Sequence, residues 1–365
     1  MKRITILFIL ILFLFTSSYS IGEKPPISAQ AAILIDRESG RVLLEYNPHI
    51  KLPMASTTKI MTALVALENG ELEKSIEIDE NAVGIEGSSI YLYEDETISL
   101  EDLLYGLMLR SGNDSAVAIA NHIGGDLEGF ANMMNNRAKE LGANNSNFTN
   151  PHGLFDENHY TTAYDLGLIT KTAMGMEKFR EISQSKTWKA KRDKNNLFYN
   201  KNKTLWEYNG GDGVKTGYTI RSGRCLVTSA TRNGMQLISV VLNDRNWFED
   251  CYDLMDYGFE KYKSYVILDK GQYFGKVSVS DGNREYVNVI SKDSFFYPLT
   301  EEELENIKIH VEVPNTINAP VEKNKVIGKI NVFLDGKLIY KGDLISREDI
   351  YKPNTIEKFL NKIKS

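Results

Sequence analysis

The chain has 365 residues, with 43 Lys and Arg against 49 Asp and Glu for a net charge of −6, and 42% hydrophobic residues. That length makes one large domain or two ordinary ones, and the balance excludes collagen-like, disordered and many-span membrane chains. The mild acidity, with no long basic run, counts against a nucleic-acid partner, and two cysteines build neither a disulfide scaffold nor a four-thiolate zinc site.

Lys2 and Arg3 precede an almost wholly apolar run at 4–15, followed by small and polar residues at 16–20. Basic, apolar and small is the order of a secretory signal peptide. It is expected over 1–20, with the mature, exported chain starting near Ile21. The apolar run falls short of the ~20 residues that span a bilayer, so an uncleaved anchor is the weaker alternative. No cysteine follows the run to take a lipid. For Cys225 and Cys251 the sequence leaves open a disulfide or two buried thiols.

In the mature chain, 31–35 and 41–43 flank Asp36-Arg37-Glu38-Ser39-Gly40 and read as two strands joined by a turn. Pro53 precedes a largely apolar run from Ser56 to Leu67 that Gly70 stops, the pattern of a buried helix. Helices are predicted at 100–109 and 115–123, on either side of Ser111-Gly112-Asn113, and at 163–174. Further on, 225–230 and 235–242 are rich in β-branched residues and flank Asn233-Gly234, a strong hairpin signal. A helix at 248–257 follows. Strands at both ends with helices between them point to one sheet with helices packed around it.

After Tyr262 the helical pattern fades. Short strands are predicted at 265–268, 276–279, 286–289, 308–313 and 326–330, with a hairpin of 332–334 and 337–340 around Asp335-Gly336. The expected organisation is a domain at 21–261, a small all-β domain at 262–350 and a tail at 351–365. In that tail Ile356, Phe359, Leu360 and Ile363 share a helical face with Lys358, Lys362 and Lys364 nearby, suited to an anionic membrane surface or to a terminal helix.

Three short motifs carry chemistry. In Ser56-Thr57-Thr58-Lys59, positions i and i+3 share a helical face. The Lys59 amine can then act as base toward the Ser56 hydroxyl if burial or nearby cations depress its pKa. Ser56 at a helix start also has free backbone N–H groups beside it for an oxyanion. Taken alone, the motif is equally a helix cap. Ser111-Gly112-Asn113 offers a proton relay and an amide-binding group, or ordinary turn chemistry. Lys215-Thr216-Gly217 offers a charge and a hydroxyl for a carboxylate, with Gly217 allowing close approach of an added strand.

Together, in this order, the three are the set shared by penicillin-binding proteins and class A β-lactamases. The chain resembles the low-molecular-mass penicillin-binding proteins that are D-alanyl-D-alanine carboxypeptidases. The likeness extends to Gly87-Ser88-Ser89-Ile90-Tyr91-Leu92, the run 104–114, Asn150-Pro151-His152-Gly153-Leu154, His159-Tyr160-Thr161-Thr162-Ala163 and the run 212–219. It covers roughly 25–260, with a weaker likeness in the β-rich segment after it. The resemblance implies an α+β fold: a serine β-lactamase/penicillin-binding-protein-like catalytic domain, an antiparallel sheet with helices, followed by a small all-β domain. It implies that Ser56 is the acylated nucleophile, Lys59 its base and Ser111 the proton shuttle. Asn113 would bind the substrate amide, Lys215 and Thr216 the terminal carboxylate, and the N–H groups of Ser56 and Tyr218 the oxyanion.

Where the family often has an Arg ahead of the third motif this chain has Lys201, which keeps the charge but loses the planar fork. The implied substrate is the D-Ala-D-Ala end of a peptidoglycan stem peptide, with β-lactams as covalent inhibitors, no cofactor, no metal and no nucleic acid. The family's amphipathic C-terminal anchor favours the membrane reading of the tail.

Other classes fit less well. No G-x-S-x-G or H-E-x-x-H occurs, which counts against a Ser-His-Asp hydrolase and a zinc peptidase. A class A β-lactamase uses a glutamate to drive deacylation, and this chain has none in a recognisable equivalent setting; its second β-rich domain also counts against that reading. A DD-endopeptidase or transpeptidase of the same fold differs only in acceptor. A non-enzymatic cell-wall binding module would not need all three motifs intact.

Overall fold

The computed structural model describes residues 23–354 and Ile356. The signal peptide expected at 1–20, and the expected tail beyond Ile356, lie outside the described residues. No helix among the described residues is long and apolar enough to cross a membrane.

The first two strands, β1 (Ala31–Asp36) and β2 (Val42–Tyr46), pair antiparallel. They join β3 (Gly211–Thr219), β4 (Gly223–Arg232) and β5 (Met235–Leu242) in one antiparallel sheet ordered β2-β1-β5-β4-β3. All six residues of β1 are buried, because both faces of the sheet are covered. Ala31, Ile33 and Ile35 face a large core, and Ala32 and Leu34 face a smaller one on the other side. This is period-2 alternation with both phases apolar, as a doubly covered strand requires. The hairpin at Asn233-Gly234 has positive φ at both residues, 50° and 81°, the primed turn that the dipeptide favours.

The large core holds α1 (Lys59–Asn69), α2 (Leu100–Tyr105), α3 (Asn113–Gly124), α4 (Leu127–Glu140), α5 (Ala163–Gly175) and α6 (Glu177–Gln184). Every residue of α1 from Lys59 to Ala66 is buried, so this helix runs through the interior. The opposite face of the sheet is covered by α7 (Trp247–Lys261) through Phe248, Cys251, Leu254 and Met255. Three helices among the described residues were not anticipated: α4, α6 and a single turn at Thr204–Glu207. For α4 the signal was present: the Asp126 carboxylate accepts from the Gly129 N–H at 2.7 Å, an N-cap just ahead of the helix. The segment predicted as one helix over 100–109 is α2 followed by a π-helical turn, Gly106–Arg110, which ends on left-handed Ser111 at φ 63°. Both Cys225 and Cys251 are buried free thiols, so of the two alternatives the structure takes the second.

The remaining strands are β6 (Lys263–Leu268), β7 (Tyr273–Ser280), β8 (Tyr286–Ser291), β9 (Phe295–Leu299), β10 (Ile307–Glu312), β11 (Thr316–Asn318), β12 (Val326–Leu334) and β13 (Lys337–Ser346). They form a pair, β6 with β9, and a sheet ordered β10-β12-β13-β8-β7-β11 around a core of its own. The predicted break between 330 and 332 is absent: β12 is one strand, and its hairpin partner β13 is longer than predicted. β9 and β11 were missed, since β9 contains Pro298 and β11 has only three residues. Arg41, from the β1–β2 turn, ties this β-domain to the first. It donates to the Pro298 carbonyl and the Glu303 carboxylate, and lies over the Tyr262 and Tyr297 rings at 5.2 Å from each centroid.

Candidate active site

Ser56 stands on a 3₁₀ turn, Ala55–Thr58, that feeds directly into α1. Ala55 is held left-handed at φ 49°, a conformation an alanine adopts only when its surroundings impose it. Two hydroxyls tighten the turn: Thr57 donates to the Met54 carbonyl at 2.6 Å and Thr58 to the Ala55 carbonyl at 2.8 Å. Two glycines crowd it. A Cβ on Gly153 would sit 1.9 Å from the Ala55 carbonyl oxygen, and one on Gly217 would sit 2.9 Å from the Ser56 nitrogen. The β3 strand therefore passes against the backbone amides of Ser56 and Thr57 with nothing larger than hydrogen between them.

Lys59 is completely buried. Its Nζ lies 3.0 Å from Ser56 Oγ, 2.7 Å from Asn113 Oδ1 and 2.7 Å from the His152 carbonyl. The Asn113 amide orientation follows from its other end, which donates to the Glu86 carbonyl at 2.5 Å. Two of the three Lys59 partners are thus acceptors only. A neutral Lys59 gives its two N–H bonds to those oxygens and turns its lone pair toward the Ser56 hydroxyl. Burial pushes the Lys59 pKa well below 10.5, the Lys215 and Lys201 charges push it the same way, and Asp114 partly opposes them.

Lys215 is also buried, donates to the Thr216 carbonyl at 3.1 Å, and is pushed down to about 7 by burial and then by Lys201. Lys201 reaches toward the site from an exposed position, with Nζ 3.3 Å from Ser88 Oγ. Tyr218, the next residue after Gly217, is 62% exposed. The structure therefore brings Ser56, Lys59, Asn113 and Gly217 into contact, sets Lys215 and Lys201 close enough to act on the Lys59 charge, carries Thr216 and Tyr218 beside Gly217 on β3, and buries Ser111 just ahead of α3.

The segment 86–96 forms another wall, and its anchoring was not recognised from sequence. Asp114, in the first turn of α3, accepts from the Ile90 and Leu92 N–H groups at 3.0 and 3.1 Å and from the Ser89 hydroxyl at 2.5 Å. Arg192 makes a bidentate pair with Glu96, both bonds 2.7 Å, and donates to the Ile90 carbonyl at 2.7 Å. Both members of that pair are buried. Asp114 ends the run 104–114 with no chemistry of its own legible there, and Arg192 lies 96 positions from Glu96. A one-dimensional reading has no means of joining them.

A family model described as D-alanyl-D-alanine carboxypeptidase matches residues 19–246, and one described as penicillin-binding protein 5, C-terminal domain, matches 262–352. The chain belongs to the D-alanyl-D-alanine carboxypeptidase family. It is 32% identical over 342 residues to the D-alanyl-D-alanine carboxypeptidase DacF of Bacillus subtilis, covering 90% of this chain and 87% of that one. Against DacC of Escherichia coli the identity is 32%, over 90% and 86%. Among solved structures, penicillin-binding protein 5 from Haemophilus influenzae superposes with a TM-score of 0.76 at 32% identity, covering 90% of this chain and 99% of that one.

In this carboxypeptidase family member the two histidines near the site are structural. His159 Nδ1 accepts from the Thr149 N–H at 3.1 Å, so Nε2 carries the proton and donates to Thr58 Oγ1 at 2.8 Å. Burial holds its pKa down at about 4, against the pull of Asp156, and burial with the Lys59 charge holds His152 at about 3. Both are neutral at pH 7, and each braces the loop 149–154 rather than facing Ser56 as a base.

Gly153→Ala tests how tightly that loop packs. Gly153 has φ +88°, and the added Cβ would meet the Ala55 carbonyl. The left-handed alanine alone costs about 1–2 kcal/mol, and the clash displaces the Ser56 turn. The expected result is a lower thermal midpoint together with slower acylation by penicillin, read by differential scanning calorimetry and by loss of intrinsic fluorescence.

Proposed function

We propose that Ser56 removes the terminal D-Ala from peptidoglycan stem pentapeptides through an acyl-enzyme. The observation that carries this reading is the Lys59 amine, buried among three oxygens with Ser56 Oγ as one of them. The substrate's C-terminal carboxylate lies at Lys215 and Thr216, with Lys201 adding positive charge. The peptide extends antiparallel along β3, where Gly217 lets it come close. Asn113 holds the amide of the substrate backbone. Neutral Lys59 takes the Ser56 proton as Oγ attacks the carbonyl of the penultimate D-Ala. The backbone N–H groups of Ser56 and Tyr218 receive the oxyanion. Ser111 passes a proton to the nitrogen of the leaving D-Ala, leaving an ester on Ser56 that water cleaves. A β-lactam enters by the same attack, and its ring nitrogen stays attached, so the ester persists.

Transfer to an amine in place of water is the second reading. A Streptomyces DD-transpeptidase superposes with a TM-score of 0.61 at 32% identity, covering 65% of this chain and 99% of that one. The exported, extracytoplasmic location rests on residues 1–20 and on the nature of the substrate. Contact with the membrane rests on the lysines and apolar residues of the tail. A non-catalytic role would leave Ser56 without purpose.

The direct test follows free D-alanine released from a stem pentapeptide. Ser56→Ala is expected to lower the rate by at least about 10³-fold, as loss of a nucleophile does. Equal release by the parent and Ser56→Ala proteins would place the nucleophile elsewhere, and an added amine acceptor in the same assay separates transfer from hydrolysis.

The pH profile has a signed expectation. Protonated Lys59 cannot accept the serine proton, so kcat/KM rises with pH through its depressed pKa. Lys215 binds carboxylate only while protonated, so kcat/KM falls again as pH passes about 7. A bound carboxylate raises the Lys215 pKa, so the alkaline limb of kcat lies above that of kcat/KM. Lys215→Ala is expected to raise KM and to move the acid limb upward, because one cation repelling protonated Lys59 is gone. Initial rates from pH 5 to pH 10 read all of these.

A further inference from the structure

Two walls run on from the glycines that pack against the Ser56 turn. One is the loop after Gly153, pinned by Asn150, whose Oδ1 accepts from Gly153 N–H at 2.7 Å and whose Nδ2 donates to the Leu154 carbonyl at 3.0 Å. The other is the end of β3 and the turn after it. Thr219 and Ser222 lock that turn reciprocally: each backbone N–H donates to the other's hydroxyl at 3.0 Å. The walls meet where the Arg221 guanidinium lies over the Phe155 ring, 5.6 Å from its centroid. Beside them Ile220 is 92% exposed, Phe155 49% and Tyr218 62%. Among the described residues, no carboxylate forms an ion pair with Arg221.

The direction of the substrate decides what passes this point. With its carboxylate at Lys215 and its strand antiparallel to β3, the peptide runs N-terminally past Tyr218 toward Ile220 and Arg221. At about 3.4 Å per residue, the residue preceding D-Ala-D-Ala comes level with that turn. The turn offers that side chain two things in sequence: apolar surface on Phe155 and Ile220, then a guanidinium held by the ring and free to make a bidentate contact. A long side chain with a methylene stem and a terminal carboxylate matches both. A lysine matches only the stem, and its ammonium meets a like charge.

We propose that Phe155, Ile220 and Arg221 form a subsite that selects stem peptides whose third residue is a diamino dicarboxylic acid over those with lysine. The proposal rests on the Ser56 carboxypeptidase reading and adds the substrate class.

The test uses three acylated tripeptides, X-D-Ala-D-Ala, with X as meso-diaminopimelate, lysine or norleucine, and reads D-alanine release as kcat/KM. Norleucine supplies the stem without a charge and is the internal reference. The parent protein is expected to favour diaminopimelate over norleucine and norleucine over lysine. Arg221→Ala is expected to cut the diaminopimelate-to-norleucine ratio about five-fold, the effect of an exposed ion pair. Arg221→Lys restores part of it, and Arg221→Glu turns the preference toward lysine. A ratio unmoved by Arg221→Ala, or a parent protein that prefers lysine, overturns the subsite while leaving the carboxypeptidase reading intact. Failure of the parent protein to cleave even the norleucine peptide overturns both.

Discussion

A single amine, Lys59 Nζ, organises the catalytic half of this molecule. Taking an ammonium out of water is costly, and a protein that does so either pairs the charge or sheds the proton. Here no carboxylate touches the amine; its partners are a hydroxyl, an amide oxygen and a backbone carbonyl. Lys215 and Lys201 repel a proton further. In the proposed mechanism the neutral amine makes Ser56 reactive, and the same amine draws together three chain segments, the turn before α1, the start of α3 and the loop at His152. The linkage has a definite sign. Between the depressed pKa and 10.5 the unfolded chain binds a proton that the native chain does not. Stability from this group therefore rises with pH through that window and is lowest on its acid side.

The scaffold around the amine is stiff by construction. Ala55 at φ 49°, Tyr91 at φ 61° and Ser111 at φ 63° are left-handed residues other than glycine. Ala55 adjoins Ser56, Ser111 is itself proposed to pass a proton, and Tyr91 lies in the segment 86–96. Such conformations cost of order 1–3 kcal/mol apiece and persist only where packing over-determines them. The buried Arg192–Glu96 pair and the Asp114 carboxylate do this for the segment 86–96, as the doubly covered sheet does for β3. A site held this way needs little rearrangement when charge develops on the substrate oxygen.

Much of this was legible in the sequence. Ser56 and Lys59 stand at the start of α1, whose apolar run is plain in the sequence, and β1 and the hairpin at Asn233-Gly234 are as readily read. The order of the three motifs pointed to the family. The i, i+3 spacing of Ser56 and Lys59 foretold their contact, although the serine stands on a 3₁₀ turn rather than inside the helix. What stayed hidden depends on contacts between distant positions. The His152 carbonyl as a Lys59 partner belongs to this kind, as do Arg192 on Glu96 and Arg221 on Phe155. The helix α6 was missed because it is short and starts without a side-chain cap. In the β-domain β9 was missed because it contains Pro298 and β11 because it has only three residues.

The account stands or falls on the charge state of Lys59. Protein carrying ¹³C at the lysine ε position, with the Lys59 resonance assigned by its loss in Lys59→Arg, allows that one amine to be titrated by NMR. A midpoint well below 10.5, apart from the surface lysines, is the predicted result. A midpoint at or above 10.5 would mean that Lys59 is an ammonium at neutral pH and that another group must activate Ser56.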